Sequence, residues 1–143
     1  MLSHQQLRQI LPQDYPFLMI DKVVEFKKGE SLTAIKNITG NEWLFEGQSY
    51  QTGIFPETII IEAAAQATLL LYHLSKIKDG EGRPKYIFGK ATANFMNRVH
   101  IGDQLKIVTS ATKMLDRLGF MDSKLSVDMT EVADIQIMYS VEK

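Results

Sequence analysis

Residues 58–74, TIIIEAAAQATLLLYHL, form the longest apolar run in the chain, and Glu62, Gln66 and His73 interrupt it. The run falls short of the roughly 20 residues that cross a bilayer, and those three side chains are costly in hydrocarbon. It therefore predicts a buried helix and no membrane span. Pro56 suits a first helical turn, where its missing N–H costs nothing, and Glu57 puts a negative charge where the helix dipole favours one. The helix is expected to begin near Pro56 and to stop at the polar, glycine-bearing segment Lys78-Asp79-Gly80-Glu81-Gly82.

Outward from this helix, the pattern changes period. Tyr86-Ile87-Phe88, Leu105–Thr109, Lys124–Met129 and Ile135–Val141 alternate apolar and polar residues with a period near two, which predicts strands. Gly102-Asp103, Leu118-Gly119 and Ala133-Asp134 are read as turns, with separations that suit an antiparallel meander. Before the helix, Phe17–Phe26 and Ser31–Thr39 flank Lys28-Gly29-Glu30 as a hairpin. A short helix with Leu7, Ile10 and Leu11 on one face precedes Pro12.

A helix that is apolar on nearly all faces must be surrounded, and one antiparallel sheet curled around it does so economically. That is an α+β architecture of the hot-dog type, expected as a single domain over residues 1–143. A lone sheet of this kind leaves strand edges that pair across a two-fold axis, so at least a dimer is expected.

Composition narrows the function. The chain has 143 residues, 45% of them hydrophobic, enough for a real core. Sixteen Lys and Arg against 17 Asp and Glu give a formal net charge of -1, which removes the long-range field that nucleic-acid binding needs. The absence of cysteine excludes a thiol nucleophile, a disulfide framework and a cysteine-based zinc site. No metal or other cofactor is implied. The amino-terminal MLSHQQLRQILP lacks the basic-then-apolar pattern of an export signal, so a cytoplasmic location is expected. Arg83, Lys85, Lys90 and Arg98 are scattered cations of the kind usually found on a solvated surface, although they offer contacts to an acidic partner.

Several blocks resemble the bacterial (3R)-3-hydroxyacyl-acyl-carrier-protein dehydratase family FabZ: Leu11-Pro12 with Tyr15–Val23, Lys36–Thr39 with Asn41-Glu42, Ile59–Ala63 with Ala65-Gln66, and Gly102–Leu105. The spacing between the blocks is similar too. The resemblance covers most of the chain and implies the hot-dog fold, a lyase activity in fatty-acid or polyene-type biosynthesis, and a substrate carried as a thioester on acyl carrier protein or coenzyme A. It also implies a site shared between subunits. A histidine in the loop before the helix takes the proton α to the thioester, and a helix carboxylate of the other subunit helps the 3-hydroxyl leave as water. A backbone N–H at the helix start polarises the carbonyl. That division fits the chemistry, which needs a base, an acid and donors aimed at the developing enolate oxygen.

Carried over residue by residue, the catalytic carboxylate is Glu62. Gln66 follows one turn later on the same face and is placed to hold it. The rest of the pattern departs from the family. Where Gly-His-Phe-Pro is expected the chain reads Gly47-Gln48-Ser49-Tyr50, and where Met-Pro-Gly is expected it reads Phe55-Pro56-Glu57. A carboxamide such as Gln48 donates and accepts hydrogen bonds but is no base near neutral pH. Glu57 keeps its N–H but brings an anion beside the developing enolate. Gln48, Phe55, Glu57 and Gln66 are therefore assigned to substrate binding. His4, His73 and His100 are not expected to substitute for the missing imidazole. Three functions remain open. One is a dehydratase with a degenerate or shared site, as a homodimer or in a hetero-oligomer with a histidine-bearing relative. The others are a hot-dog thioesterase using Glu62, and a non-catalytic acyl-binding subunit.

Overall fold

The computed structural model describes residues 1–42 and 51–142. Gln48 lies outside the described residues. The elements run α1 (His4–Ile10), β1 (Lys22–Lys27), β2 (Ser31–Asn37), α2 (Glu57–Lys76), β3 (Lys85–Phe95), β4 (Gln104–Met114), β5 (Leu118–Val127) and β6 (Thr130–Glu142). The strands form one antiparallel sheet in the order β1-β2-β4-β5-β6-β3, and α2 packs on it. This is the α+β hot-dog arrangement that the isolated apolar helix predicts.

Alpha2 starts where the sequence places it. Pro56 is its N-cap residue and Glu57 its first helical residue, and Ile77 closes it through an N–H donated to the His73 carbonyl at 3.0 Å. By length and composition α2 could cross a bilayer, but 56% of its apolar window is buried inside the protein, as in the core helix of a folded domain. Ala63, Ala64 and Ala67 have no exposure and let the helix approach the strands closely, while Ile60, Leu70, Leu71 and Tyr72 fill the space around it. Burying each of those large side chains contributes about 1.5–3 kcal/mol. Alpha1 is held by a capping box, in which the Gln6 N–H donates to Ser3 Oγ and the Ser3 N–H donates back to Gln6 Oε1. Its Leu7 is completely buried.

Several boundaries differ from the sequence reading. Residues 17–21 are not strand, and β1 begins at Lys22. Beta3 extends well past Phe88, through a bulge between Phe88 and Lys90, because its small residues Ala91 and Ala93 pack opposite Ile137 and Ile135 without showing strong alternation. The β4–β5 turn lies at 115–117, and Leu118-Gly119 opens β5. Ala133-Asp134 lies inside β6. The β5–β6 turn is instead Asp128-Met129, both with positive φ (48° and 71°), the backbone of a tight hairpin turn. That turn usually carries glycine or asparagine, and Met129 gave no such signal. The meander covers only β4-β5-β6, since β3 crosses to the far side of β6 and β2 pairs with β4.

Near the end of α2, His73 is half-buried, and its Nδ1 has no hydrogen-bond partner among the described residues. Burial, and secondarily the Arg83 charge, lowers its pKa below the usual histidine value. The unfolded chain therefore takes up the proton first as pH falls, and stability is full above about pH 6.5 and declines below it. Urea midpoints measured from pH 7.5 to 5 are expected to fall less steeply in His73→Gln. An identical slope in both proteins would contradict this assignment.

Candidate functional site

Glu62 stands half-buried on the second turn of α2, one turn before Gln66. Gln66 is fully buried, and its carboxamide is satisfied at both ends. Oε1 accepts from the Met19 N–H at 2.7 Å, while Nε2 donates to the Phe17 carbonyl at 2.6 Å and to Glu62 Oε1 at 2.9 Å. One side chain thus ties the Phe17–Met19 segment to the helix and fixes the carboxylate. The predicted face-sharing of Glu62 and Gln66 is what the structure has. No Lys or Arg pairs with Glu62 among the described residues. Among the described residues, the Gln66 hydrogen bond and not an ion pair holds it.

Glu62 faces a cavity of about 150 Å³ between α2 and the β3–β6 edge of the sheet, lined also by Gln13, Thr68, Leu69, Tyr86, Ile137 and Tyr139. The sequence reading did not single out these tyrosines. Each sits in an alternating strand segment that reads equally well as plain core, and only the β3–β6 register and the helix position bring them to Glu62.

The helix start opens elsewhere. Phe55, Glu57, Pro56 and Arg98 line a separate, more open cavity of about 480 Å³, and Glu57 is exposed in it. Phe55 is buried, donates its N–H to the Val99 carbonyl at 2.7 Å and lies with its ring 5.9 Å from Lys36 Nζ. The lead-in to α2 is pinned further by the Ile101 N–H donating to the Gly53 carbonyl at 2.8 Å. Within one chain, then, Glu62 belongs to one cavity and Phe55 with Glu57 to another, while the buried Gln66 lines neither and reaches the first only through Glu62. His4, His73 and His100 do not line the cavity of Glu62. Of the four cations considered as surface, Arg83 is committed to the Leu11 carbonyl at 2.8 Å, and all four side chains are exposed.

The family-like blocks converge at one end of the sheet. The Asn37 N–H donates to Asp21 Oδ2 at 2.6 Å, the Ile38 N–H to the Asp103 carbonyl at 2.9 Å and the Gly102 N–H to the Ile38 carbonyl at 2.8 Å. Lys36, almost fully buried, forms an ion pair with Glu42 beside them. Asp21, Lys36–Ile38 and Gly102-Asp103 thus build the frame around the site, while the block with Glu62 and Gln66 supplies the carboxylate.

Removing Gln66 is expected to be costly. Gln66→Leu takes the acceptor from the buried Met19 N–H, at about 1–3 kcal/mol for a buried orphan, and frees the Glu62 carboxylate. Denaturant unfolding measures the loss. A stability within 0.5 kcal/mol of wild type, roughly the scatter of a neutral substitution, would contradict the role given to Gln66.

A carboxylate held at a cavity between one long helix and a curled antiparallel sheet is a hot-dog arrangement. The FabA-like domain family matches residues 11–136. The FabZ 3-hydroxyacyl-[acyl-carrier-protein] dehydratase of Ruminiclostridium cellulolyticum is 33% identical over 145 aligned positions, which cover 100% of this chain and 99% of that one. This chain belongs to the FabZ dehydratase family, a family of hydro-lyases. Two solved structures share the fold at low identity. The dehydratase heterocomplex ApeI:P from Xenorhabdus doucetiae superposes with a TM-score of 0.80 at 14% identity, over 96% of this chain and 91% of that one. A mutant thioesterase from Pseudomonas aeruginosa gives 0.73 at 15% identity, over 99% and 94%.

Proposed function

We propose that this chain supplies the acid half of a shared site that dehydrates a 3-hydroxyacyl thioester on acyl carrier protein, with the base supplied by a histidine-bearing hot-dog partner. The observation that carries the reading is Glu62: anchored by Gln66, without an ion pair among the described residues, and facing a cavity. Membership of the dehydratase family gives the reaction. Gln48 in place of the imidazole removes the base from this chain, and the separation of the α2 start from Glu62 leaves each half-site needing a complement from another subunit.

In this scheme the partner's imidazole takes the proton from C2 and the C2–H electrons form the C2–C3 double bond. The C3–O bond breaks, and a proton delivered through Glu62 leaves with the hydroxyl as water. The Glu57 N–H, at the first turn of α2, is the donor available to the thioester oxygen of the complementary site. A related dehydratase fold built from two different chains exists in the Xenorhabdus heterocomplex, which is a precedent for such an assembly.

Dehydration of a 3-hydroxyacyl-acyl-carrier-protein substrate, assayed with this chain alone, with a histidine-bearing FabZ relative whose own helix carboxylate has been removed, and with both together, tests the proposal. Activity in the mixture alone is expected. Inactive mixtures, or release of free thiol in place of enoyl product, would overturn it, the second outcome in favour of a thioesterase.

A further inference from the structure

The floor of the Glu62 cavity is polar in an unusual way. Tyr72, Tyr86 and Tyr139 pack edge to face, with ring centroids 5.5–6.5 Å apart. Tyr72 Oη donates to the Asp116 carbonyl at 2.6 Å, so its hydroxyl is accounted for. The hydroxyls of Tyr86 and Tyr139 are buried and have no hydrogen-bond partner among the described residues, and neither has Gln13 Oε1. Tyr86, Tyr139 and Gln13 all line the cavity that Glu62 faces. Buried hydroxyls are normally paired, and leaving two together unpaired is costly.

The chain also makes room for this arrangement. Gly119 on β5 sits opposite Tyr139 on β6, and a Cβ at Gly119 would fall 2.3 Å from the Tyr139 ring. Only glycine lets that phenol lie where it does. Burial raises the pKa of both Tyr86 and Tyr139, so both hydroxyls are neutral donors at physiological pH. The cavity, about 150 Å³, is below the range of drug-sized pockets; a void of that order holds a guest about as large as benzene.

We infer that this cavity selects a short or compact acyl tail that ends in an oxygen, a hydroxyl or carbonyl, in preference to a long saturated chain. The Tyr86 and Tyr139 hydroxyls donate to the oxygen at the tip. Where that oxygen is a hydroxyl, it donates in turn to Gln13 Oε1. This rests on the reading of the Glu62 cavity as the acyl site and specifies which acyl groups it takes.

The test is direct binding of unreactive ligands to the full chain in its native assembly: hexanoyl-coenzyme A, 6-hydroxyhexanoyl-coenzyme A and palmitoyl-coenzyme A, titrated against wild type, Tyr86→Phe, Tyr139→Phe and the double variant. Phenylalanine keeps the ring and removes only the unpaired hydroxyl, so the variants are expected to fold. Wild type is expected to bind the hydroxyl-tipped chain about tenfold more tightly than the methyl-tipped one, as for one buried hydrogen bond. Each single variant should reduce the preference, and the double variant should reduce it further, to what Gln13 Oε1 alone supports. Equal binding of the two short chains, tighter binding of palmitoyl-coenzyme A, no binding of the hydroxyl-tipped chain, or a preference as large in the double variant as in wild type would each overturn the inference. Because the readout is affinity and not turnover, a failed dehydratase assay leaves this result interpretable, and a failed preference leaves the dehydratase reading intact.

Discussion

Glu62→Gln, made in this chain and assayed in the complete assembly, is expected to lower dehydration by about 10²–10⁴-fold, the usual contribution of a positioned acid or base. The substitution preserves shape, and the amide oxygen still accepts from Gln66 Nε2, now 2.9 Å from Glu62 Oε1. Folding should therefore be unaffected, and thermal unfolding should match wild type. Substrate affinity should change little if the carboxylate acts mainly in the transition state, so the loss should appear in kcat rather than KM. A variant that retains full rate would show that Glu62 is a passive wall of its cavity. A variant that unfolds would show that its charge supports the fold.

The second large effect is structural. Lys36 is buried on β2, paired with Glu42, and its ammonium lies 5.9 Å from the centre of the Phe55 ring. Only 14% of the Glu42 side chain is accessible, so Lys36→Met would strand a carboxylate with little water around it. Breaking one side of a buried pair costs about 3–5 kcal/mol. For a domain of this size that corresponds to a fall in Tm of roughly 10 °C. The double change Lys36→Met with Glu42→Leu removes both charges together and is expected to recover most of the loss, since a buried pair replaced by apolar groups is often neutral. Calorimetry on the three proteins measures this directly. A Lys36→Met protein as stable as wild type would mean that Glu42 finds water or another cation when its partner is removed.

The pair matters to the site because of what surrounds it. Lys36 belongs to the block whose backbone meets Asp21, Gly102 and Asp103, and Phe55 under its ammonium is the residue before the α2 N-cap. Loss of the pair would loosen the strand and the helix start together, so dehydration should fall along with stability.

What could be read in the sequence was local. Pro56 and Glu57 announce the start of α2, and the i, i+4 spacing of Glu62 and Gln66 places them on one face, as the 2.9 Å contact between them bears out. A helix without a polar face required an enclosing sheet, which is why the fold was accessible before any coordinates. The strand ends were not, because β3 continues through Gly89 and small residues whose packing depends on their β6 neighbours, and because the Asp128-Met129 turn lacks the residues that usually mark one. Gly119 read as a turn residue, but its absent Cβ serves Tyr139 across the sheet. The tyrosine floor of the cavity depends on register between strands 50 residues apart, which no local pattern carries. The Phe17–Met19 anchor of Gln66 is equally distant in sequence, so its full bonding was also beyond a local reading.

In the proposed scheme this chain has an acid, Glu62, but no base of its own. Single-turnover dehydration of a 3-hydroxyacyl-acyl-carrier-protein substrate, measured without any partner for wild type, Gln48→His and Gln48→His with Glu57→Gly, addresses that most directly. Wild type is expected to form no enoyl product, and restoring the imidazole, with or without the glycine, should give measurable turnover that Glu62→Gln then removes. Enoyl product from the unaccompanied wild-type chain at a rate matching the restored variants would contradict the account.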